Sequence, residues 1–180
     1  YHLDEPTADP AAINTMLICE HAKSMGIKVL MAGTGGDDIF TGYRRHQALQ
    51  LEKYWYWMPY FAKVGIAGLS RQFQSGQRWG MNHPTLRRLT KLLSYIDLPK
   101  PAHLESYFCW NTPQLRQSLY SQEILNHSLL ESLNQVKDLN AFDQMLYLEQ
   151  KHFLADHNLN YTDKMSMACG VDVRVPLLDQ

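Results

Sequence analysis

The run Lys28-Val-Leu-Met-Ala-Gly-Thr-Gly-Gly-Asp-Asp-Ile-Phe-Thr-Gly-Tyr43 holds the residues whose types and spacing best suit chemistry. A short apolar strand leads into a glycine-rich loop and then directly into a helix whose first turn is acidic. Gly33, Gly35 and Gly36 leave no side chain to block a close backbone approach, and the helix behind them turns its free N–H groups and positive dipole end toward the loop. A bare helix N-terminus would bind phosphate directly. Asp37 and Asp38 change that reading, because carboxylates at this place either cap the helix or hold a divalent cation that in turn holds phosphate. The expected chemistry is therefore phosphate binding through magnesium, with an ordinary strand–turn–helix capped by Asp37 as the competing reading.

Two further segments carry related residue types. One is Asp4-Glu-Pro-Thr-Ala-Asp9-Pro10-Ala-Ala-Ile13 near the start. The other is Phe153-Leu-Ala-Asp-His-Asn-Leu-Asn-Tyr-Thr-Asp163-Lys164-Met-Ser-Met167-Ala-Cys-Gly-Val-Asp172-Val-Arg174-Val-Pro176-Leu-Leu-Asp179 near the end. Taken in order, the three segments resemble the synthetase domain of glutamine-dependent asparagine synthetases and their β-lactam-forming relatives. The likeness covers residues 1–43 and 153–179.

The resemblance implies an α/β fold, part of a doubly wound nucleotide-binding domain of the pyrophosphatase type (adenine nucleotide alpha hydrolase-like), mostly helical over these residues. It implies ATP and Mg2+ as cofactors. A small-molecule carboxylate would attack the α-phosphorus, pyrophosphate would leave with magnesium, and an amine drawn from glutamine or ammonia would displace AMP to give an amide. Carried over residue by residue, Ala32 and Gly33 fall where the family's backbone lies against the nucleotide, with Gly35 and Gly36 in the same binding loop. Asp37 falls on the carboxylate that holds magnesium and pyrophosphate. Asp38 matches a neighbouring acidic position that is usually Glu. Arg174 could orient substrate or phosphate through its planar fork, and Asp4 and Glu5 could face the same cleft.

One departure stands out. The family usually reads Gly-Glu-Gly, with the Glu acting as base toward ammonia, where this chain reads Gly33-Thr34-Gly35. A threonine hydroxyl does not titrate near neutral pH, so Thr34 cannot be a general base, though it could orient a nucleophile or donate to an oxyanion. Another residue supplies the base, or the acceptor differs, or the site binds nucleotide without efficient turnover. The family's Ser-Gly-Gly-x-Asp-Ser loop, its glutaminase half and its downstream Gly-Lys segment do not occur in these residues, so the expectation is a piece of a larger enzyme.

Composition bounds the remaining classes. The 180 residues are 45% hydrophobic, typical of a globular domain, and 17 basic against 18 acidic side chains leave a net charge of −1. That balance gives no electrostatic footprint for nucleic acid or an anionic membrane, and no run is long and apolar enough for a membrane helix. Cys19, Cys109 and Cys169 are odd in number and far apart, which argues for reduced thiols in the cytoplasm and against a zinc site. A homodimer is allowed for.

The elements that must position these residues divide the chain, on its sequence, into a strand–loop–helix unit over 1–52, a helical middle over 53–139 and a C-terminal helix with the Asp-Arg-Pro segment over 140–180. Asp9 suits an N-cap with Pro10 at the first helical position. Ile13, Met16 and Leu17 share a face, and Gly26 ends that helix. The continuous run Val29-Leu30-Met31 predicts a strand covered on both faces, whose sheet neighbours come from outside these residues. Helices are predicted over 44–57, 60–70, 84–96, 113–120, 121–136 and 140–157, with a mobile loop over 70–83. The aromatic block Tyr54-Trp-Tyr-Trp-Met-Pro-Tyr-Phe61 predicts packing in preference to base stacking or a membrane surface. His152 and His157, five apart, do not share a helical face and predict solvated or capping roles. Phe142, Met145, Leu146 and Phe153 predict a buried stripe with Glu149 at its edge. Asp172 and Arg174 alternate on one side of an extended segment and predict an ion pair.

Overall fold

The computed structural model describes residues 2–4, 7–75, 84–109, 118–119 and 127–179. In chain order its elements are α1 (Ala11–Ser24), β1 (Val29–Met31), α2 (Gly36–Ile39), α3 (Arg44–Leu51), a 3-10 turn (Glu52–Tyr54), α4 (Tyr60–Ser75), α5 (Pro84–Leu93), α6 (Lys100–Phe108), α7 (His127–Gln135), α8 (Ala141–Leu148), a wide π-helical stretch (Glu149–Leu159), α9 (Asn160–Cys169), β2 (Asp172–Arg174) and a final 3-10 turn (Pro176–Leu178). This is a mostly helical α/β arrangement with a small parallel sheet. Two compact units make it up, one from residues 1–43 with 146–180 and the other from 44–145.

In the first unit α1 starts where its capping residues predict. Asp9 Oδ1 accepts the Ala11 N–H at 2.9 Å, Pro10 already has helical dihedrals, and the helix ends at Gly26 with φ 77°. The buried face differs from the predicted one. Ala12, Cys19 and Ala22 are buried with Met16 beside them, whereas Ile13, Leu17 and Ile18 are exposed. Small side chains let α1 lie close against α9, and this proximity outweighs the larger apolar residues as a selector of face.

Strand β1 has its neighbour within the chain, contrary to the sequence expectation. It pairs in parallel with β2, with Val29 opposite Asp172, Leu30 opposite Val173 and Met31 opposite Arg174. Asp172 N–H donates to Lys28 O and Ala32 N–H to Arg174 O, both at 2.8 Å. Leu30 and Val173 point into a core of Cys19, Cys169 and Val171, while Val29 and Met31 are exposed, so among the described residues the sheet is covered on one face. Cys19 and Cys169, 150 positions apart, share that core as free thiols. Burial, with the Cys169 thiol close by, pushes the Cys19 thiol up.

In the second unit α4 packs against α5 and α6 against α7. Helix α4 continues to Ser75, so residues 70–75 are helical where a loop was expected. The rest of that expected loop lies outside the described residues, as do nearly all of the helix predicted over 113–120 and the start of the one over 121–136. Helix α6 was not foreseen. Two prolines, Pro99 and Pro101, disguise its start, yet proline is tolerated in a first turn because its missing N–H would have no intrahelical partner there. The aromatic block does not pack as predicted: Tyr54, Tyr56, Trp57, Tyr60 and Phe61 are exposed, with Lys53 over the Tyr54 ring and Lys63 over the Tyr56 ring. Glu52 Oε1 accepts the Tyr107 hydroxyl at 2.8 Å and lies 3.4 Å from His103 Nδ1. Burial, reinforced by Lys63, pushes His103 down to about 4, so the imidazole is neutral at pH 7 and its contact with Glu52 is not an ion pair.

The helix predicted over 140–157 runs further, as α8, the wide turn and α9 in succession, and ends at Gly170. Of the predicted stripe Met145 is fully buried, while Phe142, Leu146 and Phe153 are half-buried and Leu148, outside the stripe, is buried in their stead. Glu149 is fully buried too, where an edge position was expected, because the helix widens from this residue onward and alters which positions turn inward.

Candidate functional site

All three sequence segments singled out above converge in the first unit. The glycine-rich loop follows β1, and the chain after β2 folds against it. Gly35 is buried with φ 90°, a conformation open to glycine at no steric cost. A Cβ there would stand 2.6 Å from Leu178 Cδ2, and one at Gly36 would stand 3.1 Å from Leu177 Cδ1. The 3-10 turn Pro176–Leu178 thus lies directly on the loop, and glycine is what permits the approach. The early segment joins the late one through an ion pair and a hydrogen bond. Lys164 Nζ bonds Asp4, and His157 Nε2 stands 2.8 Å from Asp9 Oδ2. Burial opposes ionisation of Asp9, but the Ala11 N–H and the neighbouring His157 outweigh it and hold the carboxyl below its usual range. Glu5 lies outside the described residues.

The two carboxylates of the loop are placed very differently. Helix α2 begins at Gly36, so Asp37 sits in its first turn and not at the N-cap. Asp37 is exposed, and its carboxylate lies against the Cα of Gly42, where any Cβ would collide with it. The Gly42 N–H closes the same turn on Asp37 O at 3.0 Å, with Thr41 between them at φ 61°, a value uncommon for a β-branched residue. Asp38 is 1% exposed and accepts the Tyr43 hydroxyl at 3.3 Å. Tyr161 is pushed up, first by burial and then by the Asp9 and Asp38 carboxylates, which places both acids within electrostatic reach of one phenol.

Ala32 joins the loop to β2, Gly33 is exposed and Thr34 is half-buried. Arg174 Nε donates to Asp172 Oδ2 at 3.0 Å across one side of β2, with both side chains more than half exposed. The expected pair forms, and at that exposure it is worth ~1 kcal/mol or less. His152 Nδ1 stands 3.3 Å from Asp156 Oδ2. Among the described residues no group of three or more His, Cys, Asp or Glu side chains could hold a metal ion by itself. Magnesium, however, is commonly held by one or two carboxylates together with phosphate oxygens and water, and the exposed Asp37 fits that manner of binding.

Sequence reasoning missed Tyr43, Asn158 and the Asp9–His157 pair. The residues were visible, but only the wide helix register and 115 to 148 positions of intervening chain bring them together.

With this geometry in place, comparison with known proteins is decisive. The family model described as asparagine synthase matches residues 1–180. The chain belongs to the asparagine synthase family. It is 25% identical over 188 residues to a Bacillus subtilis protein named "Asparagine synthetase [glutamine-hydrolyzing] 1", covering 100% of this chain and 27% of the relative. It is 30% identical over 183 residues to proteins of Mycobacterium bovis and Mycobacterium tuberculosis, each named "Putative asparagine synthetase [glutamine-hydrolyzing]", covering 99% of this chain and 26% of each relative. The chain therefore spans about a quarter of the length of these family members. No solved structure matches it. Among the described residues no helix is long and apolar enough to cross a membrane.

Proposed function

We propose that this chain is the central and C-terminal part of the synthetase domain of an ATP-dependent amide-forming ligase. In this reading the fold is part of a doubly wound domain of the pyrophosphatase type. A small-molecule carboxylate is adenylated, pyrophosphate leaves, and an amine from glutamine or ammonia displaces AMP. The observation that carries the reading is the closure of the 176–178 turn on Gly35 and Gly36, which brings the second and third family segments into contact beside the exposed Asp37. Backbone at Ala32, Gly33, Gly35 and Gly36 would face the nucleotide. Asp37, with phosphate oxygens, would hold Mg2+, which when bound neutralises charge on the departing pyrophosphate. Asp38 stays inside the fold and shapes the turn. Arg174, tied to Asp172, would orient an anionic group from the strand end.

Thr34 favours a second reading. Lacking a titratable group at the Gly33-Thr34-Gly35 position, the parent could act on a carboxylate other than aspartate, such as a sugar acid, or hold nucleotide without catalysis. The test is product analysis on the full-length protein with a panel of carboxylates. AMP and pyrophosphate should appear, and Asp37→Asn should slow pyrophosphate release by about 10²-fold or more. Release of ADP and phosphate would refute the reading, and nucleotide binding without adenylation of any carboxylate would select the noncatalytic one.

A further inference from the structure

Asp38 raises a physical question that its placement answers. A carboxylate that is 1% exposed is costly to bury unless polar groups hold it, and one that cannot reach solvent is poorly placed to touch a ligand. Its Oδ2 accepts the Tyr43 hydroxyl at 3.3 Å. The same oxygen of Tyr43 accepts Asn158 Nδ2 at 3.3 Å, so one phenol takes a hydrogen bond from the amide and passes one to the carboxylate. Asn158 is buried, and its backbone carbonyl accepts the Thr162 hydroxyl at 2.7 Å. The Tyr43 ring is fixed independently, edge-on to Phe153 at 5.8 Å. Both Phe153 and Asn158 belong to the wide stretch Glu149–Leu159, a helix form whose hydrogen bonds span one residue more than in an α-helix and which recurs at functional sites.

Geometry gives this relay a target. Asp38 adjoins Asp37 in a helix of one turn, and the turn that returns to Tyr43 places Gly42 against the Asp37 carboxylate. With residue 38 held inside the fold and residue 43 held against Phe153, Asp37 is exposed to solvent with its carboxylate against Gly42.

We infer that Tyr43 and Asn158 are positioning residues, which hold Asp38 and through it set the direction of Asp37 toward the metal and pyrophosphate of the proposed reaction. This rests on the assignment of Asp37 above. The relay acts by orientation, so its loss weakens a charged ligand's binding and leaves the fold standing.

The test uses the full-length protein, Mn2+ as a spectroscopic probe in place of Mg2+, and inorganic pyrophosphate, with bound manganese read from the loss of the free-ion electron paramagnetic resonance signal. Tyr43→Phe, which keeps the ring on Phe153, should weaken manganese–pyrophosphate binding about three- to tenfold, the range expected for one lost hydrogen bond. Asn158→Leu should weaken it in the same direction and by less. In an Asp38→Ala background, which leaves the Tyr43 hydroxyl no acceptor at position 38, Tyr43→Phe should change binding less than twofold, because its route to Asp37 is gone. Equal weakening in both backgrounds would show a merely structural effect, and no weakening by Tyr43→Phe in a protein that binds the pair would overturn the relay while sparing the site. An unsubstituted protein that binds no manganese–pyrophosphate would overturn the site, and the relay with it.

Discussion

Substituting Gly35 by Ala tests whether the glycine loop and the 176–178 turn are one structure. Two costs apply, and they separate. At φ 90° an L-residue pays about 1–2 kcal/mol for left-handed backbone. The added methyl would also stand 2.6 Å from Leu178 Cδ2 and 2.9 Å from Leu178 Cγ, and such overpacking costs about 1–3 kcal/mol. Together they amount to about 2–5 kcal/mol, a large share of a domain's usual 5–15 kcal/mol. Because the chain has two compact units, a single melting curve would mix them. Amide hydrogen exchange reads the first unit alone, through the Ala32 N–H on Arg174 O and the Asp172 N–H on Lys28 O. Gly35→Ala should lower protection at both amides by the stated amount. Measured in a Leu178→Ala background, the same substitution should cost only the backbone share of about 1–2 kcal/mol. A loss below about 1 kcal/mol in the parent, or an equal loss in both backgrounds, would refute the claim that the turn rests on the loop.

Three further outcomes follow from the structure. Asp9 has a folded-state pKa below the 3.8 of an ordinary aspartate, so its contribution is complete above that value and is lost as pH falls through the lower folded value; Asp9→Asn should flatten this acid limb, and pH-dependent unfolding checks it. His103 is held at about 4 against 6.5 when free, so stability should decline as pH falls from 6.5 toward 4, by at most about 3 kcal/mol at ~1.4 kcal/mol per pH unit; imidazole NMR titration should return a midpoint near 4, and a value near 6.5 would contradict its burial. Thr34→Ala should slow amide formation in the full-length protein about tenfold or less, the worth of one hydrogen bond. A loss of about 10²- to 10⁴-fold with pyrophosphate release unchanged would make Thr34 part of the proton-transfer machinery.

What was legible in the sequence was local. Asp9 and Gly26 bracket α1 because capping depends on residues a few positions apart, and the Asp172–Arg174 pair follows from the two-residue period of a strand. The loop before α2 announced itself through its glycines and paired acids. What escaped was set by tertiary contact. The buried face of α1 is chosen by small side chains that admit α9, the extended Asp172–Arg174 segment gives no local sign that it is the partner of β1, and Tyr43 meets Asn158 across the π-helical stretch. The aromatic block misled for the opposite reason: hydrophobicity predicts burial, and Trp57 is 76% exposed.

Residues 44–145 interrupt the first unit, so β1 and β2 become neighbours only after a long excursion of the chain. Closing a flexible span of about 100 residues costs roughly 4 kcal/mol of chain entropy, but doubling that span adds only about 0.6 kcal/mol. The strand pairing that seats the turn on the glycine loop is therefore dear to begin and nearly indifferent to how much chain lies between. Folding should meet it late, once the intervening helices have shortened the excursion. The same arithmetic lets the inserted unit lengthen, shrink or change its surface over evolutionary time while the paired strands and the loop beside them keep their register.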